Sequence, residues 1–181
     1  LENQIQKKVV KMDIIKNINT SDTNTIKKAF YIYNKKYFDN KVPYPDDFVW
    51  SNRLSSTGGH VSTTRRAGDK KIINTKLTLS VKHVKYNNNC FKDILVHEMI
   101  HLLHSGDGHG QKFKSEMDRL NREHKDLNIT QYLRKEYILP ERYKFKCSSC
   151  GRVTYANVRK DKKYICGNCD SDIVLLEDRW K

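Results

Sequence analysis

The segment from Ile94 to His104 constrains the fold most, because it is apolar around its whole circumference and still carries ionisable side chains. A helix that is apolar on all sides is buried within a domain rather than laid on its surface. A buried carboxylate such as that of Glu98 is costly unless it is paired or lies near a metal ion. The segment therefore predicts a central helix whose polar side chains meet a metal.

The spacing of these polar residues specifies the chemistry further. His97 and His101 are four residues apart, so on a helix their imidazoles lie on one face and can bind the same ion. Glu98 is next to His97 and can hold a water molecule without binding the ion itself. This is the HExxH pattern, in which Zn²⁺ lowers the pKa of water to about 7 and the glutamate takes a proton as the water attacks a peptide carbonyl. The alternative is a pair of satisfied core histidines beside an ion-paired Glu98, which the apolar surroundings disfavour.

A catalytic zinc site needs a third protein ligand and one open position. We expect His109 to be that ligand, because Gly108 and Gly110 allow the chain to turn tightly back to the metal. His104 is an alternative, but at the next turn of a straight helix its ring would lie too far along the axis. Asp107 is a weaker alternative.

Four of the five cysteines form two CxxC pairs, Cys147 with Cys150 and Cys166 with Cys169. In a chain without a recognisable secretory signal, this spacing indicates metal binding rather than disulfides. Together the pairs predict a closed, structural zinc ribbon, with a second Zn²⁺ replacing a core too small to hold itself. A redox role suits a single CxxC pair better than two matched ones. We expect Cys90 to be a small buried apolar residue.

The formal net charge is +14, from 35 basic and 21 acidic side chains. Such an excess favours polyanions, nucleic acid first among them, although a lysine-rich composition can also serve solubility alone. Basic and aromatic side chains alternate between the two cysteine pairs, as in grooves that bind single-stranded or distorted DNA. These candidate DNA-binding residues are Arg152, Tyr155, Arg159, Lys160, Lys162, Lys163 and Tyr164. The alternative is a solvated hairpin whose tyrosines pack inward.

Apolar periodicity predicts the remaining elements. Helices are expected at 23–38, 90–104 and 110–123, and strands at 48–53, 60–64 and 72–79. Residues 125–143 are ambiguous and could include one more short helix. The strands are close in sequence, so we expect an α+β domain of zincin-like design, with helices packed on a short antiparallel sheet. The predicted divisions are an extension at 1–20, a metalloprotease domain at 21–140 and the ribbon at 141–181.

No apolar run approaches the roughly 20 residues that cross a bilayer. Residues 1–20 mix lysines with apolar residues and lack the apolar centre of a secretory signal. We therefore expect no membrane partner and an intracellular protein, cytoplasmic or nucleoid-associated, or nuclear in a eukaryote. The default oligomeric state is a monomer.

From about Tyr37 to Trp180 the chain resembles the SprT-like family, which includes the Spartan proteases. The motifs that carry the resemblance are Tyr37-Phe38, Val49-Trp50-Ser51, Gly58-Gly59, Leu77-Thr78-Leu79-Ser80, His97-Glu98-Met99-Ile100-His101 and Gly108-His109-Gly110-Gln111-Lys112-Phe113. The resemblance implies a zinc peptidase with His97, His101 and His109 as ligands and Glu98 as the base. It also implies a DNA-linked role, the best-known activity being cleavage of proteins crosslinked to DNA.

Other hypotheses remain open at this point. The chain could be a regulatory protein that binds zinc and nucleic acid without hydrolysing peptides, or a zinc-ribbon transcription-type factor with an incidental HExxH. The residue that stabilises an oxyanion is undecided among His124, Tyr132 and Tyr137.

Overall fold

The computed structural model describes residues 18–69, 71–158 and 162–180. It separates into two compact units, Leu1–Ile138 and Leu139–Lys181. Most of the extension expected at residues 1–20 lies outside the described residues, which begin at Ile18.

The first unit carries the helices, and the expected α+β class is confirmed. The helices are α1 (Asn24–Tyr37), α2 (Val81–Tyr86), α3 (Cys90–Leu103) and α4 (Gln111–Glu123), followed by a 3₁₀ turn at Lys135–Tyr137. The three helices expected from periodicity are confirmed to within a residue or so at each end. Helix α2 was not expected from the sequence. Its N-cap is Ser80, whose side-chain oxygen accepts a hydrogen bond from the backbone N–H of His83.

The sheet of the first unit is mixed rather than wholly antiparallel. Its strands are β1 (Asp47–Ser51), β2 (Gly59–Arg65) and β3 (Ile72–Ser80), in the order β1-β3-β2. The expected antiparallel pairing holds for the β2–β3 hairpin, whereas β1 runs parallel to β3. This difference arises because the chain crosses from β1 to the far edge of the sheet before β3 returns between the two. Strand β2 is left at an edge.

Helix α3 is the centre of the first unit. It contacts β2, β3 and the other three helices, and Leu95, Val96, Met99 and Ile100 are fully buried within it. Apolar residues on every side suit this position, as the sequence predicts. The helix therefore presents its few polar side chains to fixed neighbours.

The second unit is a three-stranded antiparallel sheet of β4 (Tyr143–Cys147), β5 (Val153–Ala156) and β6 (Ile173–Asp178), in the order β5-β4-β6. Its buried apolar side chains in the described ranges are Tyr143, Phe145, Cys147 and Cys166. Across the described parts of both units, no helix has the length and apolar character to cross a membrane.

Candidate metal centres and cleft

Three imidazoles converge at the end of α3. The Nε2 atoms of His97 and His101 are 3.2 Å apart, those of His101 and His109 3.2 Å, and those of His109 and His97 3.1 Å. A tetrahedral ion with metal–nitrogen bonds of about 2.0–2.1 Å requires nitrogen atoms roughly 3.3 Å apart. The three histidines could therefore hold one metal ion.

The turn between α3 and α4 delivers His109 to this cluster. Gly106 and Gly108 have positive φ angles of 94° and 57°, a backbone region that glycine enters without steric cost. His104 ends α3 and lies outside the cluster. The carboxylate of Asp107 is used elsewhere, since its Oδ2 accepts the backbone N–H of Phe113 at 3.0 Å and caps α4.

The ring of Phe113 packs against the rings of all three histidines. Its ring centroid lies 4.8 Å from that of His97, 4.7 Å from that of His101 and 4.7 Å from that of His109. The side chain is fully buried, so it cannot move away without opening a cavity. In the sequence, Phe113 is singled out only as the last residue of the Gly108-to-Phe113 motif, and its contact with all three rings is visible only in the structure.

The protonation of the cluster suits metal binding. Burial, with smaller effects of neighbouring imidazoles, lowers the pKa of His97 to about 3 and that of His101 to about 4. Burial also lowers the pKa of His109. Neutral imidazole is the form that binds metals, so all three rings are available at neutral pH.

His97 has a fixed tautomer. Its Nδ1 lies 2.9 Å from the carbonyl oxygen of Thr130, which can only accept a hydrogen bond, so Nδ1 carries the proton and donates it. Nε2 is then the unprotonated nitrogen that faces the other two rings. A hydrogen bond of this kind orients metal-binding histidines in other proteins.

Glu98 is a buried carboxyl group without a protein partner on one oxygen. The residue is 4% exposed, and its Oε2 has no hydrogen-bond partner among the described residues. Burial raises the pKa of Glu98 to about 8. A cation nearby would favour the charged form and offset the cost of burial. The donor set and this orphaned oxygen together fit a cation at the histidines.

A cleft of about 650 Å³ contains Glu98 and the three histidines. It is lined by residues of the edge strand β2, from Gly59 to Arg65, and by residues of the segment after α4, from Asn128 to Ile138. An edge strand has unpaired backbone groups that can bind an extended chain. The cleft can therefore accept a peptide next to Glu98.

The three candidates for oxyanion stabilisation differ in position. Tyr132 is exposed and its ring lies 5.9 Å from that of His109. His124 packs on Tyr37 at 4.9 Å, and the hydroxyl of Tyr137 donates to Asp93 at 3.0 Å. Only Tyr132 of these three presents its side chain beside the histidine cluster.

The four cysteines of the second unit also converge, and they could hold a second metal ion. The Sγ atoms of Cys147 and Cys169 are 3.4 Å apart, and those of Cys150 and Cys166 are 3.7 Å apart. Metal–sulfur bonds of about 2.3 Å in a tetrahedron give sulfur atoms roughly 3.8 Å apart. Hydrogen bonds, the strongest from the backbone of Ser171, lower the pKa of Cys169 to about 6, which favours the metal-binding thiolate.

The candidate DNA-binding residues have mixed environments. Arg152, Lys162 and Lys163 are exposed, and Arg159 and Lys160 lie outside the described residues. Tyr155 is 49% exposed and has the guanidinium of Arg179 over its ring at 5.3 Å. Tyr164 instead has its ring 6.3 Å from that of Phe145. The exposed aromatic surface between the cysteine pairs is thus provided by Tyr155.

Comparison with known proteins finds a matching protein family and two relatives. The model of the SprT-like family matches residues 26–133, which include all three histidines and Glu98. The germ cell nuclear acidic protein of Drosophila melanogaster is 27% identical over 153 residues, covering 81% of this chain and 14% of that protein. The human germ cell nuclear acidic protein is 25% identical over 169 residues, covering 89% of this chain and 24% of that protein. The chain thus spans less than a quarter of either relative.

Proposed function

The chain belongs to the SprT-like family, and we propose that it is a zinc-dependent endopeptidase in which Glu98 is the general base. His97, His101 and His109 hold the catalytic Zn²⁺, and the four cysteines hold a structural one. The observation that carries the proposal is the buried, unpaired carboxylate oxygen of Glu98 in the same cleft as three converging imidazoles. A purely structural metal site has no use for such a base.

Bound zinc would supply a Lewis acid that polarises the scissile carbonyl and lowers the pKa of a water molecule to about 7. The protein's own contribution is proton transfer by Glu98. Its carboxylate accepts the proton of the attacking water and passes it to the departing amine, so that it ends each cycle ionised. The apolar surroundings that raise the pKa of Glu98 also keep it from releasing the proton to bulk solvent before the amine leaves.

The edge strand β2 binds the substrate backbone. Its free edge lines the cleft, and main-chain hydrogen bonds there give affinity without requiring a particular side chain. This arrangement favours cleavage of many unrelated segments once they are unfolded or extended. Tyr132, beside His109, is the residue best placed to stabilise negative charge on the carbonyl oxygen.

The proposed substrates are proteins bound to DNA, including proteins crosslinked to it. Support comes from the net charge of +14, from the exposed basic residues of the ribbon and from the ring of Tyr155, which is 49% exposed although the guanidinium of Arg179 lies over one face. Basic side chains neutralise phosphates and an exposed ring can stack on an unpaired base. Both relatives are named as nuclear proteins, which supports a location close to DNA.

The test is peptide cleavage by the full chain with and without single-stranded DNA, compared between the wild type and Glu98→Gln. Glutamine has nearly the same shape but cannot accept the proton, so we expect cleavage to fall by about 10²- to 10⁴-fold. Metal analysis accompanies it, with about two zinc ions per chain expected in the wild type and about one in His97→Ala.

Equal fragment formation in both proteins would overturn the peptidase proposal. Cleavage that depends on Glu98 but not on DNA would retain the peptidase and remove its link to DNA. Absence of cleavage in both, with two zinc ions bound, would favour a regulatory protein that binds zinc and nucleic acid.

A further inference from the structure

The hydrogen bond that orients His97 comes from a segment without regular structure. Thr130 accepts from Nδ1 of His97 with its backbone carbonyl, at 2.9 Å, and it lies in the irregular stretch that follows α4. A backbone carbonyl can hold an imidazole in one orientation only if its own segment is held. The restraint on residues 127–130 therefore determines how well His97 is oriented.

Asn121, on the last turns of α4, provides that restraint. Its Nδ2 donates to the carbonyl oxygen of Ile129 at 2.7 Å, and its Oδ1 accepts the backbone N–H of Ile129 at 2.8 Å. One side chain thus satisfies both backbone groups of the residue next to Thr130. This double hydrogen bond fixes the position and the direction of the peptide chain at that point, as a neighbouring strand would.

Contacts of the residues next to Ile129 add to the restraint that Asn121 provides. Leu127 and Ile129 are 6% and 2% exposed, so the segment is anchored in the core on either side of Asn128. The backbone N–H of Asn128 lies 3.5 Å from Oδ1 of Asp93, one turn before His97 on α3. These contacts hold the segment in place, and the carbonyl oxygen of Thr130 is the group in it that accepts the hydrogen bond of His97.

We propose that Asn121 is a positioning residue for the metal site, acting on His97 through the backbone of Ile129 and Thr130. In the part of the chain that the structure describes, its side-chain hydrogen bonds go to Ile129 rather than to the metal ligands, and it does not line the cleft. Its effect is to keep the acceptor for Nδ1–H in place, which keeps Nε2 unprotonated and facing the cluster. The inference rests on the proposed function only in requiring that the histidines bind a metal.

The chain contains a matched control for this side chain. Asn34, on α1, makes the same pair of hydrogen bonds to Val42, with Nδ2 donating to the carbonyl oxygen at 2.9 Å and Oδ1 accepting the N–H at 3.1 Å. It is buried, its side-chain hydrogen bonds among the described residues go to Val42, and it does not line the cleft. Asn34→Ala therefore removes the same interaction without touching the metal site.

The experiment measures zinc affinity of the full chain by competition with a chelator, for the wild type, Asn121→Ala and Asn34→Ala. Loss of a group that orients a metal ligand weakens binding about 10- to 100-fold, and we expect this for the histidine site of Asn121→Ala. The ribbon site serves as the internal reference and is expected to be unchanged in every variant. Asn34→Ala is expected to lower stability while leaving both affinities unchanged.

A second readout uses metal-free protein, so that it does not depend on zinc or on activity. Long-range ¹H–¹⁵N spectra of the imidazoles report which nitrogen of His97 carries the proton. We expect the Nδ1–H form in the wild type and in Asn34→Ala, and a mixture of both tautomers in Asn121→Ala. Asn121→Asp keeps the acceptor for the Ile129 N–H but turns an oxygen toward the Ile129 carbonyl in place of the donor, so it should disturb His97 as well; it replaces the alanine variant if that protein does not fold.

The proposal is overturned if the substitution at Asn121 changes histidine-site affinity no more than Asn34→Ala does, or leaves His97 wholly in the Nδ1–H form. A wild type that binds zinc at the histidines and cleaves no peptide would remove the proposed function and leave this inference standing. A wild type that binds no zinc at the histidines would overturn both the proposed function and this inference, because there would be no metal site to position.

Discussion

Gly59 leaves no room for a side chain beside Glu98: a Cβ atom on Gly59 would lie 3.0 Å from Cγ of Glu98. The same atom would lie 2.9 Å from the carbonyl oxygen of Thr78 and 2.9 Å from Cδ2 of Leu79. The backbone carbonyl belongs to the neighbouring strand and cannot yield. Glycine at this position therefore allows β2 to approach α3 closely enough to bury the carboxyl group.

Gly59→Ala is expected to impair both folding and cleavage. Overpacking of this kind costs about 1–3 kcal/mol, and a displacement of the base by about 1 Å can lower the rate roughly 100-fold. The measurements are the free energy of unfolding in urea and the rate of peptide cleavage. Gly68→Ala is the control, because a Cβ there meets nothing within 4 Å; an equal loss in both variants would contradict the argument.

Phe113→Ala is expected to loosen the histidine cluster as well as the core. Removing a fully buried phenyl ring costs about 3–5 kcal/mol, and here the cavity opens directly beneath three imidazoles. Zinc affinity at the histidines should therefore fall by tenfold or more. Leu120→Ala, a fully buried position on the same helix, should cost comparable stability and leave zinc affinity intact. Equal zinc affinities in the two variants would show that Phe113 is only a core residue.

Substitutions of Asp107 test whether its carboxylate caps α4 or binds the metal. Its carboxylate accepts the N–H of Phe113, and loss of such a cap costs about 0.5–2 kcal/mol. Asp107→Ala should therefore lower the free energy of unfolding by this amount, whereas Asp107→Asn, which retains an oxygen acceptor, should lower it less. Zinc affinity of Asp107→Asn should stay close to that of the wild type. A large loss of zinc in Asp107→Asn would assign the carboxylate to the metal.

The parts of the site that the sequence predicts are those that local geometry determines. The spacing of His97 and His101 brings two rings to one face of any helix, and the apolar residues around them require that helix to be buried. Gly108, directly before His109, marks a turn in the same local way. Each of these inferences depends on residues within about one or two helical turns of each other.

The parts that the sequence does not predict depend on distant contacts. The direction of β1 relative to β3 depends on which edge of the sheet the chain crosses to, and residue types do not record that choice. Thr130 acts through its backbone carbonyl, which every residue possesses, and the contact with His97 joins positions 33 apart. Asn121 could have been suspected only as a polar residue on the buried side of α4.

Because of Asp126, we expect the free energy of unfolding to depend on pH. Although its burial acts in the opposite direction, hydrogen bonds from Lys36 and Tyr37 lower the pKa of Asp126 to about 2. A carboxyl group whose pKa is lower in the folded state stabilises the fold above its unfolded pKa, near 4, and this contribution is lost as the pH falls toward 2. The side chain is 48% exposed, so the contribution should not exceed about 1 kcal/mol.

Urea unfolding of the wild type and Asp126→Asn between pH 7 and pH 2 measures this contribution. The difference in free energy of unfolding should be constant above about pH 4 and shrink below it. Asp118→Asn removes a carboxylate from the exposed side of α4 and controls for the change in net charge. A difference for Asp126→Asn that is independent of pH would contradict the assignment.

Metal removal should unfold the second unit and spare the first. The four buried apolar side chains in the described part of the ribbon include two of the cysteines themselves, so without metal its apolar core is reduced to Tyr143 and Phe145. A core of that size cannot offset the conformational entropy of about forty residues, and zinc binding then supplies the folding free energy. The first unit retains the continuous core around α3 and α1.

Amide hydrogen exchange in a strong chelator should therefore show β4 to β6 fully exchanging while α1 stays protected, and Cys147→Ser should reproduce this pattern without chelator. Protection of β4 to β6 that survives both treatments would mean that the ribbon folds without its metal.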